Sequence, residues 1–250
     1  MTYYGESSFY PSDLLDEYQN LWVRAGSITG NVSVNKYRCS IYGGGTKDAE
    51  QVKDGFVSVH GGQIIREAGG AQRFVDVFTG KGSPNAIVTV LQLVHEYRLP
   101  FIKACKGVKG PKGDAAALLE RNESNPIKMM QEFCDAYLGL DCNGFVGNYV
   151  KRVQNKWIGP NTDIASFLRS GKKRKTVDDA YDLDILIFPN NTHIAIIDTF
   201  EDDTHAFIAQ STGGGPQMTR HKLIASGGGA FDLDPPTKVK GPVQIISLGL

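Results

Sequence analysis

Between Gly139 and Val153 the chain reads Gly-Leu-Asp-Cys-Asn-Gly-Phe-Val-Gly-Asn-Tyr-Val-Lys-Arg-Val, and no other stretch limits the possible folds as much. Phe145, Val146, Tyr149, Val150 and Val153 recur at helical spacing, which predicts an amphipathic helix. Gly144 and Gly147 remove bulk on the other side, so this helix can pack closely against a sheet. Asp141 stands where a capping residue belongs. Cys142 then falls at the helix start, among unpaired backbone N–H groups and the positive end of the dipole, a setting that favours thiolate over thiol. A nucleophile is prepared in this way.

The rest of the composition narrows the choices. A chain of 250 residues with 41% apolar side chains can bury a substantial core as one large domain or two small ones. Lys+Arg and Asp+Glu both number 27, so the net charge is zero and no general attraction to nucleic acid or to a membrane surface is expected. Cys39, Cys105, Cys134 and Cys142 form no Cys-x-x-Cys pair, which argues against a zinc site, a redox motif or a disulfide framework; no cofactor is expected. The N-terminus lacks a basic and apolar leader of the secretory type. The longest apolar-rich run, Ala86 to Val94, is far too short to span a bilayer. These features describe a soluble protein made in the cytoplasm.

Along the chain, Ser12 or Asp13 can cap a helix with Leu14, Leu15, Tyr18, Leu21 and Trp22 on its apolar face, ended by Gly26. Val32/Val34 and Tyr37/Cys39/Ile41 alternate as short strands. Gly43-Gly44-Gly45-Thr46-Lys47 lacks the spacing of a phosphate loop and reads as a flexible turn. Val57 to Ile65 suggests a hairpin that leaves His60 structural or exposed. Ser83-Pro84 opens a helix through Val94, and His95 near its end would gain as an imidazolium from the dipole.

Residues 103–114, rich in Gly, Pro and Lys, mark a boundary. It separates an N-terminal accessory region, 1–120, from a second domain, 121–250. Asn125-Pro126 starts another helix carrying Ile127, Met130, Cys134 and Tyr137 on one stripe. Lys172-Lys173-Arg174-Lys175 reads as a solvated basic run. Asp184 to Phe188 and His193 to Ile197 are β-branched-rich strands separated by Pro189-Asn190-Asn191-Thr192, and Val243 to Leu248 is a terminal strand. His221 lies in a polar stretch and is expected to be exposed.

Asp141-Cys142-Asn143-Gly144-Phe145-Val146 resembles the Asp-Cys-Ser-Gly-Phe/Leu-Val signature of the NlpC/P60 cysteine peptidases. Downstream, Asp184-Ile185-Leu186-Ile187-Phe188 resembles that family's Gly-Asp-Leu-Val-Phe-Phe strand. His193-Ile194-Ala195-Ile196-Ile197 is similar to its His-Val-Gly-Ile-Tyr strand, and Phe207 to Gly213 looks like the strand and turn that follow. The likeness covers roughly residues 125–250.

The resemblance implies an α+β, papain-like NlpC/P60 fold in the C-terminal half, with a helix-borne nucleophile packed on an antiparallel sheet. It further implies hydrolysis of an amide bond in a peptidoglycan stem peptide, through a thioester on Cys142. His193 would face the cysteine helix and act as base and then acid. A polar third residue that orients the imidazole is usual in the family, and both Gln210, beside the Ser-Thr-Gly turn, and His205 are open for that role. Alternation puts them on opposite faces of one strand, so they cannot both point at the cleft without a bulge. Asp141 and Asn143, flanking the thiol, are candidate substrate contacts; the family often has Ser where Asn143 stands.

The partner expected is peptidoglycan or a muropeptide, with a protein partner or inhibitor for the N-terminal region also open. Delivery to the wall would need another route: a phage lysin, a toxin carried by a secretion machine, or a cytosolic recycling enzyme. Two further readings stay open. The same thioester could be captured by an acceptor amine or lipid, or the fold could serve as a binding module without activity.

Overall fold

A computed structural model describes residues 9–39, 46–110, 113–122, 124–154 and 158–250. The chain forms two compact units, one built from Glu17–Asp141 with Thr212–Pro216, the other from the segment ending at Asp16 with Cys142–Ser211 and Gln217–Leu250. The expected division at residue 120 is therefore displaced. The helices on either side of that position pack on the helices before them, so burial keeps them together up to Asp141.

The first of these units is largely helical. Helix α1 (Pro11–Gln19), whose residues up to Asp16 belong to the other unit, leads into strands β1 (Leu21–Ala25) and β2 (Ile28–Val32), which pair antiparallel around Gly26 at φ 62. The expected helix through Trp22 thus stops early. Leu21, Val23 and Ala25 alternate inward, and Trp22 is 62% exposed.

Helix α2 (Thr46–Glu67) replaces the hairpin expected over Val57 to Ile65. Ala49, Val52, Phe56 and Ile64 are buried along it at helical spacing, and Val57 of the expected alternation is exposed. His60's side chain and residues 43–45 lie outside what is described. Helices α3 (Ala71–Phe78), α4 (Pro84–Glu96) and α5 (Arg98–Ala104) follow. Ser83 caps α4 as expected, its hydroxyl accepting from the Ala86 N–H at 3.4 Å. His95 departs from expectation: burial first, then Arg98, lowers its pKa and disfavours the imidazolium.

The short strands β3 (Lys109–Gly110) and β4 (Gly113–Asp114) precede helices α6 (Ala115–Arg121) and α7 (Pro126–Tyr137). Phe56, Phe74, Phe78, Phe101 and Phe133 form the aromatic core here. The buried guanidinium of Arg38 donates to the carbonyls of Ala136 (2.6 Å) and Leu138 (3.2 Å), satisfying the end of α7.

The other unit holds helix α8 (Cys142–Gln154), helix α9 (Ile164–Ser170) and strands β5 (Lys172–Lys173), β6 (Ile185–Ile187), β7 (Ile194–Phe200), β8 (His205–Thr212), β9 (Gly215–Gly227), β10 (Ala230–Asp234) and β11 (Gln244–Ser247). Among the described residues, one sheet runs in the order β10-β9-β8-β7-β6-β11-β5. It curls, because Phe231 of β10 pairs with Val243 just ahead of β11.

Every strand of the curled part then contributes to one interior cluster: Leu186 and Phe188, Ala195 and Ile197, Ala206 and Ile208, Leu223, Phe231, Val243 and Ile245. Each large apolar side chain buried there contributes about 1.5–3 kcal/mol. The class is α+β, with helices and a curled antiparallel sheet. Among the described residues no helix is long and apolar enough to cross a membrane.

Candidate functional site

Cys142 is the first residue of α8 and is 5% exposed. The helix packs on β7. The sheet register fixes the level of its far end. At its far end, Gln154 Nε2 donates to the Leu248 carbonyl at 3.2 Å. The pairings of β11 with β6 and of β6 with β7 carry the level of Leu248 across to Asp198. A helix of 13 residues is about 18 Å long, and the strand from His193 to Asp198 spans about 16 Å. A helix running along β7 from that level is thus long enough to bring its start to the level of His193.

Gly147 of α8 serves a different neighbour from the one expected. A Cβ on Gly147 would come within 2.5 Å of the Gly159 and Pro160 backbone, so this residue admits a loop rather than a strand. One turn earlier, on the same side of the helix, Asn143 Nδ2 donates to the Thr162 carbonyl at 3.0 Å. That amide therefore fixes the 159–162 loop beside the thiol. Its Oδ1 is buried with no hydrogen-bond partner among the described residues.

Asp141 is occupied elsewhere. Its carboxylate takes the Lys81 ammonium at 2.6 and 2.9 Å, and both side chains are nearly buried. Losing either partner of such a pair would strand a buried charge, so the Asp141 carboxylate is committed to Lys81 in this structure.

His193 is 5% exposed and sits one residue before β7. It stands directly opposite Phe188, with the two rings edge to face at 4.8 Å. Phe188 belongs to the interior cluster, so His193 points to the same face, at the mouth of the curled sheet. The sequence reading had this residue facing the cysteine helix. The buried side chains of α8 lie outside the interior cluster, so helix and imidazole use different faces of β7. No hydrogen bond joins the Cys142 thiol to the imidazole.

The imidazole is held from the other side. His193 Nε2 lies 2.8 Å from Gln210 Oε1, and an amide oxygen only accepts. The neutral ring must therefore carry its proton on Nε2. Nδ1 keeps a lone pair and has no hydrogen-bond partner among the described residues. Burial lowers the His193 pKa, partly opposed by the Gln210 bond, so the ring is the neutral, proton-accepting form at neutral pH.

This geometry separates the two candidates for the orienting role. Gln210 continues the inward face of Ala206 and Ile208, reaching His193 diagonally across the β7–β8 pair. His205 begins the same strand about 16 Å away and is paired through Nδ1 with Asp202 at 2.8 Å. His205 is therefore a turn residue, and the bulge between Ile197 and Thr199 does not bring it to the mouth.

Two residues beyond the sequence reading complete the network. Gln210 Nε2 donates to Thr219 Oγ1 at 3.2 Å, and Thr219 Oγ1 lies 2.7 Å from His221 Nε2. His221 is buried at 4% exposure, not exposed as expected, and its Nδ1 faces the Pro235 carbonyl at 2.7 Å. The alternation Thr219, His221, Leu223 along β9 was the available signal, since Leu223 is an interior residue.

None of the four cysteines forms a disulfide. Among the described residues no group of three or more His, Cys, Asp or Glu side chains is placed to hold a metal ion. Comparison with protein families, with curated proteins and with solved structures returned no match.

Proposed function

We propose that this protein is a cysteine hydrolase that cleaves an amide bond, with Cys142 as nucleophile and His193 as base and then acid. The observation that carries the reading is the 2.8 Å contact between His193 Nε2 and Gln210 Oε1. It leaves a lone pair on Nδ1 of a buried, neutral ring, the form of imidazole that general-base activation of a thiol requires.

In the proposed reaction His193 Nδ1 takes the thiol proton as sulfur attacks the carbonyl carbon. The backbone N–H groups at the start of α8 offer donors for the oxyanion. The imidazolium then protonates the departing amine, leaving a thioester on Cys142. Water, deprotonated by the same nitrogen, attacks the thioester and releases the acid and the thiol. The likeness of residues 141–146, 184–188 and 193–197 to the NlpC/P60 signature makes a peptidoglycan stem peptide the substrate to try first. A papain-like fold belongs to the same proposal.

The test is incubation of the protein with purified peptidoglycan fragments, followed by mass spectrometry, for the wild type and for Cys142→Ala and His193→Ala. A cleaved stem peptide with the wild type alone supports the assignment. Equal product from all three, or from none across a panel of amide substrates, overturns it. Added amine that appears in the product instead of water would favour acyl transfer by the same site.

A further inference from the structure

We infer that Thr219 and His221 are positioning residues that set the tautomer of His193 from a distance, through a hydrogen-bond chain with one permitted direction. The inference rests on the hydrolase reading for its meaning, but not for its geometry. The direction follows from the end of the chain. The Pro235 carbonyl can only accept, so His221 Nδ1 must donate to it. Burial lowers the His221 pKa and keeps that ring neutral, so its Nε2 bears a lone pair.

Thr219 therefore directs its hydroxyl proton to His221 Nε2 and offers a lone pair on the other side. Gln210 Nε2 donates into that lone pair. The amide is thereby turned with Oε1 toward His193, where it accepts the Nε2 proton. The reversed amide would set its oxygen against a hydroxyl whose proton is already committed. It would also point an NH2 group at His193 Nε2, which would move the ring proton to Nδ1 and remove the base. Each donor in the chain has one acceptor, and each step excludes the reversed one.

The residues span three strands: His193 ahead of β7, Gln210 in β8, Thr219 and His221 in β9. Three of the four lie on strands of the curled sheet, and His193 immediately precedes β7, so the chain is carried by the sheet.

The test reads the tautomer directly, without turnover. Imidazole 15N shifts of His193 are recorded for the wild type and for Thr219→Val, Thr219→Ser and His221→Phe, alongside kcat/KM on whatever amide substrate the wild type cleaves. The wild type and Thr219→Ser should show a protonated Nε2 and a lone-pair Nδ1. Thr219→Val and His221→Phe should show a mixed or inverted pattern, with kcat/KM down roughly ten- to hundredfold.

An unchanged 15N pattern in a folded Thr219→Val or His221→Phe overturns the inference. If Thr219→Val does not fold, a Thr219→Ser protein that fails to keep the wild-type tautomer does the same. A wild type with the expected tautomer but no hydrolysis would sink the hydrolase reading and leave this inference standing.

Discussion

His193 Nε2 and Gln210 Oε1 lie 2.8 Å apart across two neighbouring strands, and Gln210 rather than His205 holds the imidazole. Replacing Gln210 with Ala would leave a buried ring N–H without a partner, a defect worth about 1–3 kcal/mol. Gln210→Ala should therefore lower both the melting temperature and kcat/KM. His205→Ala removes turn contacts with Asp202 and Thr204 and should leave kcat/KM near wild type. A catalytic loss in His205→Ala as large as in Gln210→Ala would contradict this assignment.

The thiols should differ in reactivity. Burial pushes the Cys105 thiol up to about 12, so it stays inert to alkylation at neutral pH. Cys142, at a helix start, should on the proposed mechanism react with a substrate-sized electrophile at pH 7, and this reaction should slow in His193→Ala. Mass mapping of the modified peptide measures both. Alkylation of Cys142 only near pH 8.5, the range of an ordinary thiol, with no effect of His193→Ala, would count against a thiol–imidazole pair.

His193 and His221 both have pKa values lowered by burial from 6.5. The unfolded chain therefore takes up protons first as the pH falls, and stability is full above about pH 6.5 and lost progressively below it. Thermal unfolding between pH 8 and pH 5 should show a melting temperature that declines through the acid half of that range. In His221→Phe the decline should be shallower. A pH dependence identical to wild type in that variant would exclude His221 as a contributor.

Gly147 admits the 159–160 backbone against α8, where a Cβ would sit 2.5 Å from Gly159 and Pro160. Ala is the better helix former, yet here Gly147→Ala should destabilise by about 1–3 kcal/mol, because backbone on both sides cannot yield cheaply. Denaturant unfolding gives the value, and a neutral or stabilising change would show that the loop moves freely.

Lys81 and Asp141 form a nearly buried pair at 2.6 Å. Asp141→Ala alone should cost about 3–5 kcal/mol, since it strands a charge, while Lys81→Met with Asp141→Leu should recover much of that loss. The comparison is made by denaturant unfolding of the single and double variants. A single variant as stable as the double would mean that neither charge is held away from water.

The sequence by itself determined much that is local. A capping Ser83 ahead of Pro84, the helical spacing after Cys142 and the β-branched runs at 185–187 and 194–197 act between near neighbours, and they produced α4, α8, β6 and β7 where expected. The same local rules misplaced α2, whose apolar residues fit period 2 around Val57 and period 3.6 over the longer span, and only packing on α3, α5 and α7 selected the second. They also extended α1 through Trp22, where alternation against β2 took over.

At the candidate site the sequence could name Cys142, His193 and the pair Gln210/His205, but not choose within the pair. Choice required register. One residue of slip would turn Gln210 away from His193, and register is set by which side chains enter the interior cluster of the curled sheet. The same closure buried His221 and made Thr219 a link. Neither property exists in a single strand, because both depend on backbone from β8 and from Pro235 arriving at one place only when the sheet curls.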